Sequence, residues 1–156
     1  MKRTALVMGL VVLGMVAVAV AAVDLSGTWA INKDKSDVPQ GRGGQPGTIP
    51  DTTLMIQQSG NNLTITTKRQ GREGEMTSEA KYTLDGKESK NPAGRGGESV
   101  SKANMEGDTV VVETTMDMGR GPMTSKSVYA LSDGGKVLTI STTRNDRTTK
   151  QVFDKK

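Results

Sequence analysis

Four short units set an arginine among glycines along the chain: Gly41-Arg42-Gly43-Gly44, Gly71-Arg72-Glu73-Gly74, Gly94-Arg95-Gly96-Gly97 and Gly119-Arg120-Gly121-Pro122. A guanidinium is a planar fork of donors that fits a carboxylate or phosphate, and neighbouring glycines leave backbone N–H groups uncovered beside it. Anion capture is therefore the chemistry these units offer, against the plainer alternative of solvated loop tips. Arg-Gly-Gly also occurs in RNA-binding tails, but here the units stand singly between alternating stretches, and no nucleic-acid partner is expected. Met116, Met118 and Met123 form a second cluster, whose thioethers suit Cu(I). Methionine more often fills irregular gaps in a core.

The deficits are as informative. The chain has no His and no Cys, so Ser-His and Cys-His nucleophile systems and the usual zinc sites cannot be assembled. No acidic run has calcium-loop spacing. Glu73 and Glu75 fall in a loop and Glu79 on an outward face, which leaves no acid–base pair. No enzyme activity and no cofactor are expected.

The elements that would position these groups are strands. Leu25-Ser26-Gly27-Thr28-Trp29 opens the first, which runs to Asn32, and a long Gly/Pro-rich loop over 33–50 follows. Paired residues of an antiparallel hairpin share a face, so register can be tested from the sequence. A turn at Gly60-Asn61 sets Ile56 opposite Ile65 and Gln58 opposite Leu63. One at Glu106-Gly107 sets Ala103 opposite Val110. Gly134-Gly135 sets Leu131 opposite Leu138 and Tyr129 opposite Ile140, and Asn145-Asp146 sets Leu138 opposite Phe153. Across the loop 119–122, pairing Met118 with Met123 places Val112 against Tyr129 and Val110 against Leu131. Met76, Ser78, Ala80, Tyr82 and Leu84 alternate with polar residues and read as one strand with a buried face. The stretch between Leu84 and Val100 reads as another loop.

The result is an all-β chain, an antiparallel up-and-down meander of about 8–10 strands, closed into a barrel with its last strand against its first. A two-sheet sandwich is the competing architecture. In the barrel reading alternate loops share an end, which puts Arg42 and Arg72 at one mouth and Arg95, Arg120 and Arg147 at the other.

Lys2 and Arg3 precede an apolar run from Ala5 to Val23 that ends in small residues, the three parts of a secretory signal. Cleavage after Ala21 or Ala22 gives a leader over 1–21 and a barrel domain over 22–156. An uncleaved anchor is the alternative, since the run approaches the ~20 residues that span a bilayer. Loss of Lys2 and Arg3 lowers the formal charge of +4 by two, too small a balance to imply a polyanionic partner. A periplasmic or secreted location follows, with membrane contact only through the leader before cleavage.

Gly27-Thr28-Trp29 near the start of a small all-β chain resembles the Gly-x-Trp signature of lipocalins and fatty-acid-binding proteins. The wider pattern is Asp24 to Asn32 followed by Lys35-Ser36, then Tyr82-Thr83-Leu84-Asp85-Gly86-Lys87 and Leu131 to Thr139 around Asp133-Gly134. It is similar to small exported bacterial lipocalin-like proteins over nearly all of the chain after the leader. The resemblance implies that Trp29 plugs the closed end of the barrel. The chain departs from typical lipocalins in lacking cysteines and a clear C-terminal helix.

A barrel of about eight strands is either filled by its own side chains or holds one small ligand. Inward Trp29, Ile56, Ile65, Ala80, Tyr82, Val112, Tyr129 and Ile140, with small Ser78, Thr114 and Ser127 among them, suggest a mostly apolar site for a small hydrophobic or amphipathic molecule. Arg95 and Arg120 are the candidates for its head group. A filled barrel that acts through its loops, as an envelope interaction protein, is the second reading.

Overall fold

Alternation of apolar and polar residues gives each segment one face to bury, and short Gly/Asn/Asp turns fold consecutive segments back on each other. In the computed structural model, which describes residues 23–40, 45–71, 73–93, 96–117, 119 and 121–156, this produces ten strands. They are β1 (Gly27–Ile31), β2 (Thr52–Ser59), β3 (Asn62–Gly71), β4 (Gly74–Thr83), β5 (Asp85–Ala93), β6 (Gly97–Glu106), β7 (Thr109–Asp117), β8 (Pro122–Ser132), β9 (Val137–Arg144) and β10 (Arg147–Lys155). A short helical turn, Asp133–Gly135, joins β8 to β9. The leader expected over 1–21 lies outside the described residues.

All pairings are antiparallel, in the order β4-β3-β2-β1-β10-β9-β8-β7-β6-β5. The tail meets the beginning as expected, with Trp29 opposite Lys155 and Ile31 opposite Phe153. The barrel is thus closed through β1 and β10. Its one interruption is the seam between β4 and β5, which share no backbone ladder among the described residues.

Three of the hairpin registers hold as read: Ile56 with Ile65, Tyr129 with Ile140 and Leu138 with Phe153. Two are corrected. Ala103 pairs with Val112 and Met105 with Val110, so the β6–β7 turn is Gly107-Asp108 rather than Glu106-Gly107. Met116, not Met118, pairs with Met123, which sets Val110 against Tyr129 and Val112 against Ser127. Both slips are of two residues, which preserves the inward face and so leaves the alternation intact.

The expected loop between Leu84 and Val100 is largely a strand, β5, which pairs with β6 from Asp85 to Ala93 through a bulge. Its polar residues and Pro92 hid it. A strand beside the seam has backbone partners on one side only, where proline is tolerated. The extra strand changes the parity of the connections. β1–β2, β3–β4, β5–β6, β7–β8 and β9–β10 all turn at the same end, so the Gly-Arg units belong to connections of one mouth rather than two. The arginines of those units, Arg42, Arg72, Arg95 and Arg120, lie outside the described residues.

The opposite end is solid. Leu25, Trp29, Leu63, Val110, Leu138 and Phe153 are almost wholly buried there. The residues before β1 cross this end, where Gln58 accepts the Leu25 N–H at 3.0 Å and donates to the Val23 carbonyl at 2.7 Å. Trp29 donates its indole N–H to the Leu25 carbonyl at 3.0 Å, which satisfies its one polar group inside the plug. Gly27 has φ 146°, an angle that side chains rarely adopt, and a Cβ there would lie 2.7 Å from Cε of Lys155, so the end of the lysine would have to swing aside. Lys155 crosses that space to bring Nζ 5.2 Å from the centre of the indole.

Candidate ligand cavity

Inside the barrel each wall changes character from the plug toward the mouth, and cross-strand register makes the change a set of rows. On β8, β9 and β10 the lowest row is Leu131, Leu138 and Phe153, the next Tyr129, Ile140 and Gln151, and the next Ser127, Thr142 and Thr149. At the top Arg144 faces Arg147. On β2, β3 and β4 the sequence is Ile56, Ile65 and Ala80, then Leu54, Thr67 and Ser78, then Thr52, Arg69 and Met76. Each wall therefore grades from hydrocarbon through hydroxyl to guanidinium.

Between these walls lies a cavity of about 400 Å³, bordered by Leu54, Ile65, Ile140 and Phe153 below and by Thr67, Ser78, Ser127 and Thr142 above. Its size falls in the range of small-molecule sites. Tyr129 and Gln151 also border it, and neither side chain makes a hydrogen bond to another described residue. The Tyr129 hydroxyl is held neutral, because burial, with a lesser contribution from Tyr82, pushes its pKa up. Hence the lower cavity offers neutral donors and acceptors, and its one bordering charge, Arg69, stands at the rim.

The third wall is already satisfied internally. Ser101 and Thr114 share a hydrogen bond of 2.9 Å, and Ser99 donates to the Asn91 carbonyl at 3.2 Å. Ser99 and Ser101 are buried, so the space is eccentric, toward β2–β4 and β8–β10.

Of the residues singled out in the sequence, Ile65, Tyr129 and Ile140 border the cavity. Trp29, Ile56 and Val112 belong to the buried cluster beneath and beside it, and Tyr82 packs against that cluster. Ala80 lies in the row of Ile56 and Ile65. Met76, read as buried, is 67% exposed, because β4 is at the seam and the rim there has no backbone neighbour to cover it. Met116 and Met123 do meet as cross-strand partners; Met118 is outside the described residues. Arg69, Thr67, Thr142, Gln151 and Arg144 were missed. Their parity on β3, β9 and β10 was legible from the same register, which assigned only the small hydroxyl residues Ser78, Thr114 and Ser127 to the inward face.

Ser36 and Asp37, at the start of the loop over 33–50, are tied to β10. The Asp37 N–H donates to the Lys150 carbonyl at 2.8 Å, and the Lys150 N–H returns a bond to the Asp37 carboxylate at 2.6 Å. The Ser36 hydroxyl accepts the Val152 N–H at 2.9 Å. Ile49 is buried, so the loop is anchored at Ser36, Asp37 and Ile49, while most of its other described residues are exposed.

No family model and no curated protein matches the sequence. Solved structures do match in fold. The fatty acid transporter REP1-NXSQ superposes with a TM-score of 0.62 at 15% identity over 85% of this chain and 96% of that one. The fluorescent protein UnaG gives 0.63 at 19% identity, over 84% and 96%. Fatty-acid-binding protein 1 of Echinococcus granulosus gives 0.59 at 14% identity, over 83% and 96%.

Proposed function

We propose that this chain is an exported, non-catalytic binding protein for a small apolar or amphipathic molecule. The observation that carries the reading is the cavity of about 400 Å³, apolar at its base and hydroxyl-lined above. Two of the fold relatives are named for fatty acids, which supports the same class of ligand. Export to the periplasm or beyond rests on Lys2, Arg3 and the apolar run that follows them. A filled barrel acting through its loops is the weaker reading, since its core would leave no such space.

Protein purified from its native compartment, denatured and extracted, should release a small hydrophobic molecule detectable by mass spectrometry. Titration with medium-chain fatty acids should change the fluorescence of Trp29, the single tryptophan. An empty extract together with an unresponsive tryptophan would refute ligand binding. N-terminal sequencing of the same sample should begin at residue 22 or 23, and an intact Met1 would refute cleavage.

A further inference from the structure

We infer that the bound molecule is a single-chain amphiphile seated tail first, its anionic head held at the mouth by Arg69, Arg144 and Arg147. This rests on the binding reading above and adds the polarity and direction of the ligand. Arg69 is far in sequence from Arg144 and Arg147, which flank one turn, yet all three stand at the same end. Arg69 borders the cavity itself. Arg144 and Arg147 line a recess of about 540 Å³ with Thr142 and Thr149, and Thr142 borders both spaces.

Three observations give the cluster its meaning. Six of the described lysines, Lys33, Lys68, Lys81, Lys87, Lys90 and Lys102, each pair with a carboxylate. Arg69, Arg144 and Arg147 have no such partner among the described residues, although Asp146 sits in the turn between the last two. Arg147 donates instead to the neutral Gln40 Oε1 at 2.8 Å, which orients its guanidinium without cancelling its charge. Finally, Arg144 and Arg147 are direct cross-strand partners, and like charges so placed destabilise a hairpin unless an anion lies between them.

Below the rim no counter-charge waits. A carboxylate carried down to Tyr129 and Gln151 would be buried beside neutral groups, at a desolvation cost those groups cannot repay in full. A hydrocarbon tail carries no such cost against Leu54, Ile65, Ile140 and Phe153. Hence the chain goes down and the anion stays up. The shared head chemistry is a carboxylate or a sulfate or phosphate monoester.

Calorimetry on the full chain at low salt, with decanoate, decan-1-ol and inorganic phosphate as separate probes, tests this. Decanoate should bind about tenfold more tightly than decan-1-ol, the effect of one good charge-assisted contact. In the triple variant Arg69→Gln, Arg144→Gln, Arg147→Gln that ratio should fall to near one while the affinity for decan-1-ol is retained. A control carrying Lys68→Gln, Lys90→Gln and Lys102→Gln removes equal charge from the exterior and should keep the ratio. Equal binding of acid and alcohol by the natural sequence, or a preference that survives in the triple arginine variant, overturns the head-group site. Inorganic phosphate binding as tightly as decanoate also overturns it, in favour of a free-anion site. Failure of both decanoate and decan-1-ol to bind would instead refute ligand binding itself. For direction, 10-bromodecanoate should quench Trp29 and 2-bromodecanoate should not; the reverse order overturns the tail-first orientation.

Discussion

The side-chain amide of Asn91 on β5 stands in for a peptide group opposite Lys81 on β4: Oδ1 accepts the Lys81 N–H at 2.6 Å and Nδ2 donates to the Lys81 carbonyl at 2.9 Å. Two residues along, the Ser89 hydroxyl accepts the Thr83 N–H at 3.2 Å. Side chains thus bridge the one seam that the backbone leaves open. Asn91 itself is buried, which shields the bridge from competing water.

Replacing Asn91 with Ala strands both polar groups of Lys81 next to the seam. The expected cost is about 1–3 kcal/mol of stability, read as a lower urea midpoint. Hydrogen exchange should localise the damage, with the Lys81 amide losing protection while amides of β9 keep theirs. Unchanged protection at Lys81 would show that the bridge contributes nothing.

At the solid end, Gly27→Ala forces a Cβ toward Lys155 at a backbone angle that side chains rarely adopt. A loss of about 1–3 kcal/mol is expected from the backbone alone, with a further penalty from displacing the lysine. Lys155→Ala by itself should cost only about 0.5–1 kcal/mol, the value of an exposed cation over an indole. In the double variant the steric part disappears, so its loss should be smaller than the sum of the two single losses. Strict additivity in thermal unfolding would argue that the close approach is immaterial.

Burial raises the pKa of both Tyr82 and Tyr129 above the ordinary phenol value of 10.0. In the unfolded chain these phenols ionise near pH 10, whereas in the fold they keep their protons to higher pH. The folded state then binds more protons, so stability is full below about pH 10 and declines as pH rises above it. Tyr129→Phe should flatten part of that decline. Urea midpoints at pH 9 and pH 11 for both proteins provide the check, with the lysines common to each acting as an internal reference. Parallel declines would mean that the Tyr129 phenol is not responsible.

Thr67 points into the cavity between Leu54 and Ser78. Thr67→Phe should fill the space without disturbing the plug, so fatty-acid binding should fall at least tenfold while the unfolding free energy stays within about 0.5 kcal/mol. Binding that survives this substitution would place the ligand elsewhere.

How much of this was legible in advance differs by feature. Ile56 and Ile65, flanking a Gly-Asn turn, gave their register away because one face had to be apolar and the turn had room for two residues. Met116 and Met123 did not, because Met118 carries the same parity and fits the alternation equally well. β5 escaped notice because its Glu, Lys, Ser and Asn residues carry no apolar stripe; its place beside β6 is a matter of backbone pairing, and Asn91 shows its role only when Lys81 is across from it. The arginines emphasised by glycine context were Arg95 and Arg120, whereas the cavity is bordered by Arg69, which sits in an unremarkable strand.

The amino-acid order by itself determined the all-β class, the meander, the tryptophan at the start of the first strand and the apolar base that surrounds it. Local alternation and turn chemistry are sufficient for these, since a period of two assigns every residue a face. The tertiary structure alone decided which rung meets which, the number of strands, the mouth that each connection serves, the seam and the convergence of Arg69 with Arg144 and Arg147. A slip of two residues leaves every face unchanged, so only turn geometry and packing across the closed barrel can select the rung. Distant side chains then become neighbours through the order of the strands, which the alternation of any one strand does not encode.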